Sequence, residues 1–238
     1  MLGVCRFSLI LLVSFVAWPK TIEAQEYCPP LKVKPPRSGS AQSLPTDFLV
    51  QDSPGDPSLP QLVFAGDSLV GGLAASDKED RVAFKVAQSL PGTPSVTALS
   101  LSGRDSTYIS KIFQRKTKLL QDVILIIWVG RNNFTASEQV LFDIKAMIEH
   151  AKTSRFLVLS VPPSNDPEEY VGSERRRAID SLNHRLSEEF GDYFIRVGTR
   201  TDCADRADNV HFTAGGQAKI AAEVADALKR FGWFERQK

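Results

Sequence analysis

A serine hydroxyl is a poor nucleophile at neutral pH and becomes useful when a histidine, held in one tautomer by a carboxylate, can take its proton. This chain of 238 residues offers three histidines: His150, His184 and His211. His150 and His184 stand in helical-period segments among charged residues (MIEHAK and SLNHRL), where solvated surface histidines are the simplest reading. His211 lies in Ala207-Asp208-Asn209-Val210-His211-Phe212, between a strand-like run and the last helical stripe. Asp208, three residues upstream, can reach Nδ1 across a turn and leave Nε2 free. The serine to match is Ser68 in Gly66-Asp67-Ser68-Leu69, directly after an apolar run, where the glycine allows a tight turn that exposes the hydroxyl. Taken singly, a Gly-Asp-Ser turn is more simply a polar loop or helix cap, and an Asp three residues before a His a simple turn. The turn is not the G-x-S-x-G elbow of the α/β-hydrolases, because Val70 stands two residues after Ser68.

Ester hydrolysis also needs donors aimed at the developing oxyanion, each worth ~3 kcal/mol of barrier. Gly103 can present a backbone N–H with no side chain in the way, Asn132 an amide, and Ser68 its own N–H. Alone, Gly103 would read as a turn glycine and Asn132 as a loop former.

The elements that must position these residues follow from apolar periodicity. Five short runs rich in β-branched residues, at 62–65, 96–101, 123–129, 156–161 and 193–197, read as strands. The third, VILIIWV, is apolar throughout, as expected of a strand covered on both faces. Between them lie helical stripes: Val140, Leu141, Ile144, Met147 and Ile148; Ile179, Leu182, Leu186 and Phe190; and Ile220, Ala221, Val224, Ala225, Leu228 and Phe231. Thr135 with Glu138 predicts a capping box for the first stripe, and Ser173 a cap for the second. Alternating strands and helices imply an α/β fold, a three-layer α/β/α sandwich on a five-stranded parallel sheet with right-handed crossovers. The loops after its first three strands, carrying Ser68, Gly103 and Asn132, should then face one crevice at the carboxyl edge.

Four blocks in this order, Gly66-Asp67-Ser68-Leu69, Gly103, Gly130-x-Asn132 and Asp208-x-x-His211, resemble the signature blocks of the SGNH (GDSL) hydrolases over about residues 61–231. One departure is Asn133, where the family often has Asp, so a hydrogen bond that orders the loop can differ. The resemblance implies a flavodoxin-like SGNH fold and a serine esterase. Ser68 would attack the acyl carbon, His211 would carry the proton and Asp208 orient the imidazole. The Ser68 amide, Gly103 and Asn132 would hold the oxyanion, with no metal or organic cofactor. Relatives of this kind act on acetylated sugars, lysophospholipids, thioesters and small aryl esters. O-acetyl groups on carbohydrate are the preferred expectation here, because no long apolar insertion suggests an acyl-chain tunnel. A lysophospholipase or thioesterase, or a catalytically idle carbohydrate-binding module on the same fold, are the alternatives.

Charge and composition narrow the partners. Lys and Arg number 29 against 28 Asp and Glu, which argues against a nucleic-acid surface or polybasic membrane patch. Residues 1–24 have the layout of a cleavable signal peptide, their 12-residue apolar run (7–18) being short of the ~20 needed to span a bilayer. Cleavage after Ala24 would leave 27 basic and 27 acidic residues and two cysteines, Cys28 and Cys203, in a secreted or periplasmic protein. There they would either form a disulfide or remain free thiols, the bridge being favoured by an oxidising compartment. Residues 25–60, holding eight of the 14 prolines, read as an arm or linker, with regular structure beginning near Gln61 and a hydrolase domain over 61–238.

Several tempting features have plain alternatives. Arg104 and Arg131 flank the oxyanion loops and could favour an anionic or sugar-rich substrate, or could be solvated and paired with nearby acids. Arg175-Arg176-Arg177 is most simply a solvated face. Asn133-Phe134-Thr135 is a glycosylation sequon beside the site, with Thr135 better employed as a cap. Residues 162–172, with three prolines and several acids, would form a wall of the cleft or an ordinary crossover loop.

Overall fold

The computed structural model describes residues 28, 44–75, 77–116 and 123–234. Residues 1–24, which the sequence suggests are a signal peptide, and the arm residues 25–27 and 29–43 lie outside the described residues. Six strands form one sheet: β1 (Leu49–Ser53), β2 (Gln61–Gly66), β3 (Val96–Ser100), β4 (Val123–Trp128), β5 (Phe156–Leu159) and β6 (Phe194–Ile195). Five helices accompany them: α1 (Val82–Gln88), α2 (Ser106–Lys116), α3 (Ser137–Ala151), α4 (Glu174–Phe190) and α5 (Ala214–Arg230).

Period-2 alternation of apolar residues builds two cores at once. Leu62, Phe64, Ile124, Ile126 and Trp128 face α1 and α5. Val63, Ala65, Leu125 and Ile127 face the layer of α2, α3 and α4. Every residue of β4 is buried, the consequence of a central strand covered on both sides. Each such side chain stabilises the fold by roughly 1.5–3 kcal/mol, so a polar residue anywhere in β4 would be severe.

The sheet order is β1-β3-β2-β4-β5-β6, and all pairs are parallel except β1 with β3. The five parallel strands are those expected from the sequence, in the flavodoxin-like order. The chain moves outward from β2 to β3, then returns to the other side of β2 at β4. The carboxyl ends of β2 and β4 thus flank the point where strand order reverses, the usual place for a ligand crevice in such sheets.

Two expectations are corrected. The sheet has a sixth strand, antiparallel, drawn from the proline-rich segment read as an arm without regular structure. β1 is largely exposed, with Leu49 and Val50 facing out, so it is held by its backbone ladder to β3 and not by a buried apolar face that periodicity could reveal. Thr135 does not cap α3. The helix starts at Ser137 after Ala136, with no side-chain cap bond. Ser173 does cap α4, accepting from the Arg176 N–H at 3.1 Å. Cys28 and Cys203 are joined in a disulfide across 175 positions of sequence, tying the arm to a short 3-10 turn (Cys203–Asp205).

Candidate active site

The turn carrying Ser68 is shaped by two short-range facts. A Cβ at Gly66 would stand 2.0 Å from the Trp128 carbonyl oxygen, so only glycine lets the end of β2 lie this close to β4. Asp67 Oδ1 then accepts from the Leu69 N–H at 2.9 Å, and the Ser68 carbonyl accepts from the Leu73 N–H at 3.2 Å, folding the chain back on itself. Asp67 itself is buried, and its Oδ2 lacks a hydrogen-bond partner. Burial pushes its carboxyl up to about 6, against the pull of the Leu69 N–H and of the Arg131 and His211 side chains.

The opposing loop runs from the 3-10 turn to α5 as a tight hairpin. Arg206 and Phe212 form an antiparallel bridge, and the Ala207 N–H donates to the His211 carbonyl at 2.9 Å. Within it, Asp208 Oδ1 accepts from the Val210 and His211 N–H groups at 2.7 and 2.6 Å, and Oδ2 meets His211 Nδ1 at 2.8 Å. His211 Nε2 lies 2.9 Å from Ser68 Oγ. Burial alone would raise the Asp208 pKa, but these donors outweigh it and hold the carboxyl below its usual range. A carboxylate, an imidazole and a serine hydroxyl are thereby in line, with the tautomer fixed by Asp208.

The third side of the crevice comes from the loops after β3 and β4. Gly103 adopts φ +73°, a conformation that favours glycine. Asn132 Nδ2 donates to the Arg104 carbonyl at 2.9 Å, which joins the two loops and leaves the second amide hydrogen and the Gly103 N–H for another acceptor. Asn133, the departure from the family pattern, makes two hydrogen bonds that order the loop. It accepts from the Ser106 N–H at 3.2 Å and donates to Ser106 Oγ at 2.9 Å, tying the loop to the start of α2.

The sequence left Arg131 between substrate contact and solvated pairing with an acid, and the structure pairs it with an acid out of solvent. Its side chain is buried against Glu169 at 2.5 Å, with its guanidinium 5.2 Å from the centre of the Phe134 ring. Burial would raise the Glu169 pKa, but Arg131 and the Ser164 N–H hold it low. Arg175 lies on the exposed face expected for the arginine run, and from there its guanidinium reaches the Phe134 ring centre at 4.9 Å and Glu169 at 3.3 Å. Segment 162–172 is therefore an ordered wall. The Asn165 N–H donates to the Asn209 carbonyl at 2.7 Å, beside Asp208.

Arg206 was missed altogether. It is buried on the Phe212 ring, donating to the Val210 and Pro163 carbonyls at 3.0 and 2.9 Å, and so fastens the His211 loop to that wall. Burial, with the Arg131 charge nearby, lowers its pKa to about 10. No spacing rule marks a buried arginine that binds carbonyls.

The other histidines stand apart from the site. His184 is exposed and pairs with Glu188 at 3.2 Å, and His150 sets its ring edge-on to Phe113. Among the described residues no cluster of three or more His, Cys, Asp or Glu could hold a metal ion, and no helix is long and apolar enough to cross a membrane.

No protein-family model matches the chain, and no curated protein matches it. Solved structures do. An aryl esterase from M. smegmatis superposes with a TM-score of 0.56 at 18% identity, over 72% of this chain and 99% of its own. A carbohydrate acetylesterase from Sinorhizobium meliloti gives 0.54 at 18%, over 72% and 99%. A member of the lipolytic G-D-S-L family from Veillonella parvula gives 0.55 at 15%, over 71% and 98%. The fold is that of the SGNH (GDSL) hydrolases.

Proposed function

We propose that this chain is a serine esterase that hydrolyses carboxylic esters through an acyl-enzyme, with short acyl groups on carbohydrate as its substrates. The observation that carries the reading is the unbroken line from Ser68 Oγ through His211 to Asp208, at 2.9 and 2.8 Å. His211 takes the hydroxyl proton as Ser68 attacks the acyl carbon, and Asp208 stabilises the imidazolium that forms. The oxyanion is met by the N–H groups of Ser68 and Gly103 and by the free amide hydrogen of Asn132. The proton passes from His211 to the departing alkoxide. Water, deprotonated by the same imidazole, then releases the acid and restores the serine.

Support for the substrate class comes from the acetylesterase and aryl esterase with which the fold is shared. Export is proposed alongside it, from the signal-like segment 1–24 and from a disulfide that would persist in an oxidising compartment. The test is acetate release from a panel of acetylated polysaccharides and from p-nitrophenyl acetate, with Ser68→Ala as the control. Hydrolysis by the parent and not by the variant is expected. Equal rates would remove the catalytic assignment.

A further inference from the structure

The arm that the sequence presents as a linker reaches the candidate active site. Arg104, next to Gly103, donates from Nε to the Pro45 carbonyl at 2.7 Å and from Nη2 to the Leu44 carbonyl at 3.0 Å. Its guanidinium lies 4.2 Å from the centre of the Tyr108 ring, and the Tyr108 hydroxyl donates to the Thr46 carbonyl at 3.3 Å. Three successive carbonyls of the arm are thus held by two side chains, Arg104 on the loop after β3 and Tyr108 in the first turn of α2. The same Arg104 offers its own carbonyl to Asn132.

This grip sets the Leu44 side chain directly on Gly103. Leu44 Cδ2 is 2.8 Å from where a Cβ of Gly103 would stand, yet the residue remains 48% exposed. One part of this apolar side chain therefore covers Gly103 and the other faces solvent. A carbonyl oxygen seated on the Gly103 N–H is one bond from the carbon under attack, so the groups on that carbon pass close to this loop.

We infer that Leu44 is a specificity-determining residue: held by Arg104, it closes the site on the Gly103 side and restricts the acyl group to short chains. The inference rests on the esterase reading above and gives its short-acyl preference a structural cause. It also makes the arm a working part of the site, with the loop that holds the oxyanion serving as its clasp.

The test is an acyl series, p-nitrophenyl acetate, butyrate and octanoate, run on the full chain and on Leu44→Ala, Leu44→Trp and Arg104→Ala. A companion series keeps the acetyl group and varies the alcohol. Leu44→Ala is expected to raise the ratio of kcat/KM for butyrate over acetate by about fivefold to tenfold, the scale of a few methylenes at a half-open apolar wall. Leu44→Trp should lower that ratio. Arg104→Ala, which releases the Leu44 and Pro45 carbonyls but keeps the carbonyl that Asn132 meets, should move it in the same direction as Leu44→Ala. Unchanged ratios in all three variants, with an active parent, overturn the inference and leave the esterase reading standing. So does a response confined to the alcohol series. A parent that hydrolyses no ester overturns the reading and the inference with it.

Discussion

Asp67→Asn separates burial from charge at the residue beside the nucleophile. Asp67 is 1% exposed, and its carboxyl is raised from 3.8 to about 6, with burial the largest cause. A shift of about two units corresponds to ~3 kcal/mol of disfavoured ionisation in the folded state. The sign follows from which state holds the proton. Below the unfolded value both states are protonated and the residue costs nothing. As pH rises from about 4 to about 6 the unfolded chain ionises first, and folding loses stability until the folded carboxyl has also titrated. Asparagine cannot ionise, so its own packing adds a constant, of either sign, to the comparison. Stability of Asp67→Asn relative to the parent should therefore rise by ~2 kcal/mol between about pH 4.5 and 7.5, the part of the full penalty that falls in that window. Urea unfolding of both proteins at several pH values measures this difference directly. A difference that is flat with pH, or that falls as pH rises, would refute the reasoning and mean that Asp67 is solvated or paired.

Three further outcomes follow from other contacts. Asn132→Ala should lower kcat for p-nitrophenyl acetate by about 100-fold to 1,000-fold with little change in KM, because the lost donor acts on the oxyanion; an unchanged kcat removes Asn132 from that role. Glu169→Ala should destabilise the fold by ~3 kcal/mol at neutral pH by leaving Arg131 buried and unpaired. Because the Glu169 pKa is depressed, that cost is fully present above the ordinary glutamate value and shrinks as pH falls from there through the lower folded value, which thermal unfolding at acid and neutral pH will show. Replacing Cys28 and Cys203 together by serine should lower Tm, with ~5 kcal/mol as the ceiling for so long a loop, and reductant should lower the parent's Tm towards the variant's.

The parallel sheet was legible because its strands are buried on both faces, and β4 in particular leaves nothing to alternate with. The hydrogen-bonded Ser68, His211 and Asp208 were legible for a related reason: few histidines exist, and only one stands in a loop beside a carboxylate. What escaped depended on partners remote in sequence. β1 has no buried face and is defined by its ladder with β3. Arg131 and Glu169 are 38 residues apart, and nothing in either local sequence shows that they pair out of solvent. Arg104 and the arm are 59 and 60 residues apart and meet through backbone carbonyls, which every residue has. A sequence shows side chains; it does not show which carbonyl a guanidinium will find.

Whether Ser68 is an activated nucleophile is measured most directly by covalent trapping. Treating the full chain with a fluorophosphonate and mapping the adduct by peptide mass spectrometry should place a single label on Ser68, with loss of ester hydrolysis in proportion to labelling. His211→Ala should label far more slowly, and Ser68→Ala should neither label nor hydrolyse. An adduct on a different residue, or a Ser68→Ala protein that hydrolyses esters at the parent's rate, would contradict the catalytic assignment of Ser68.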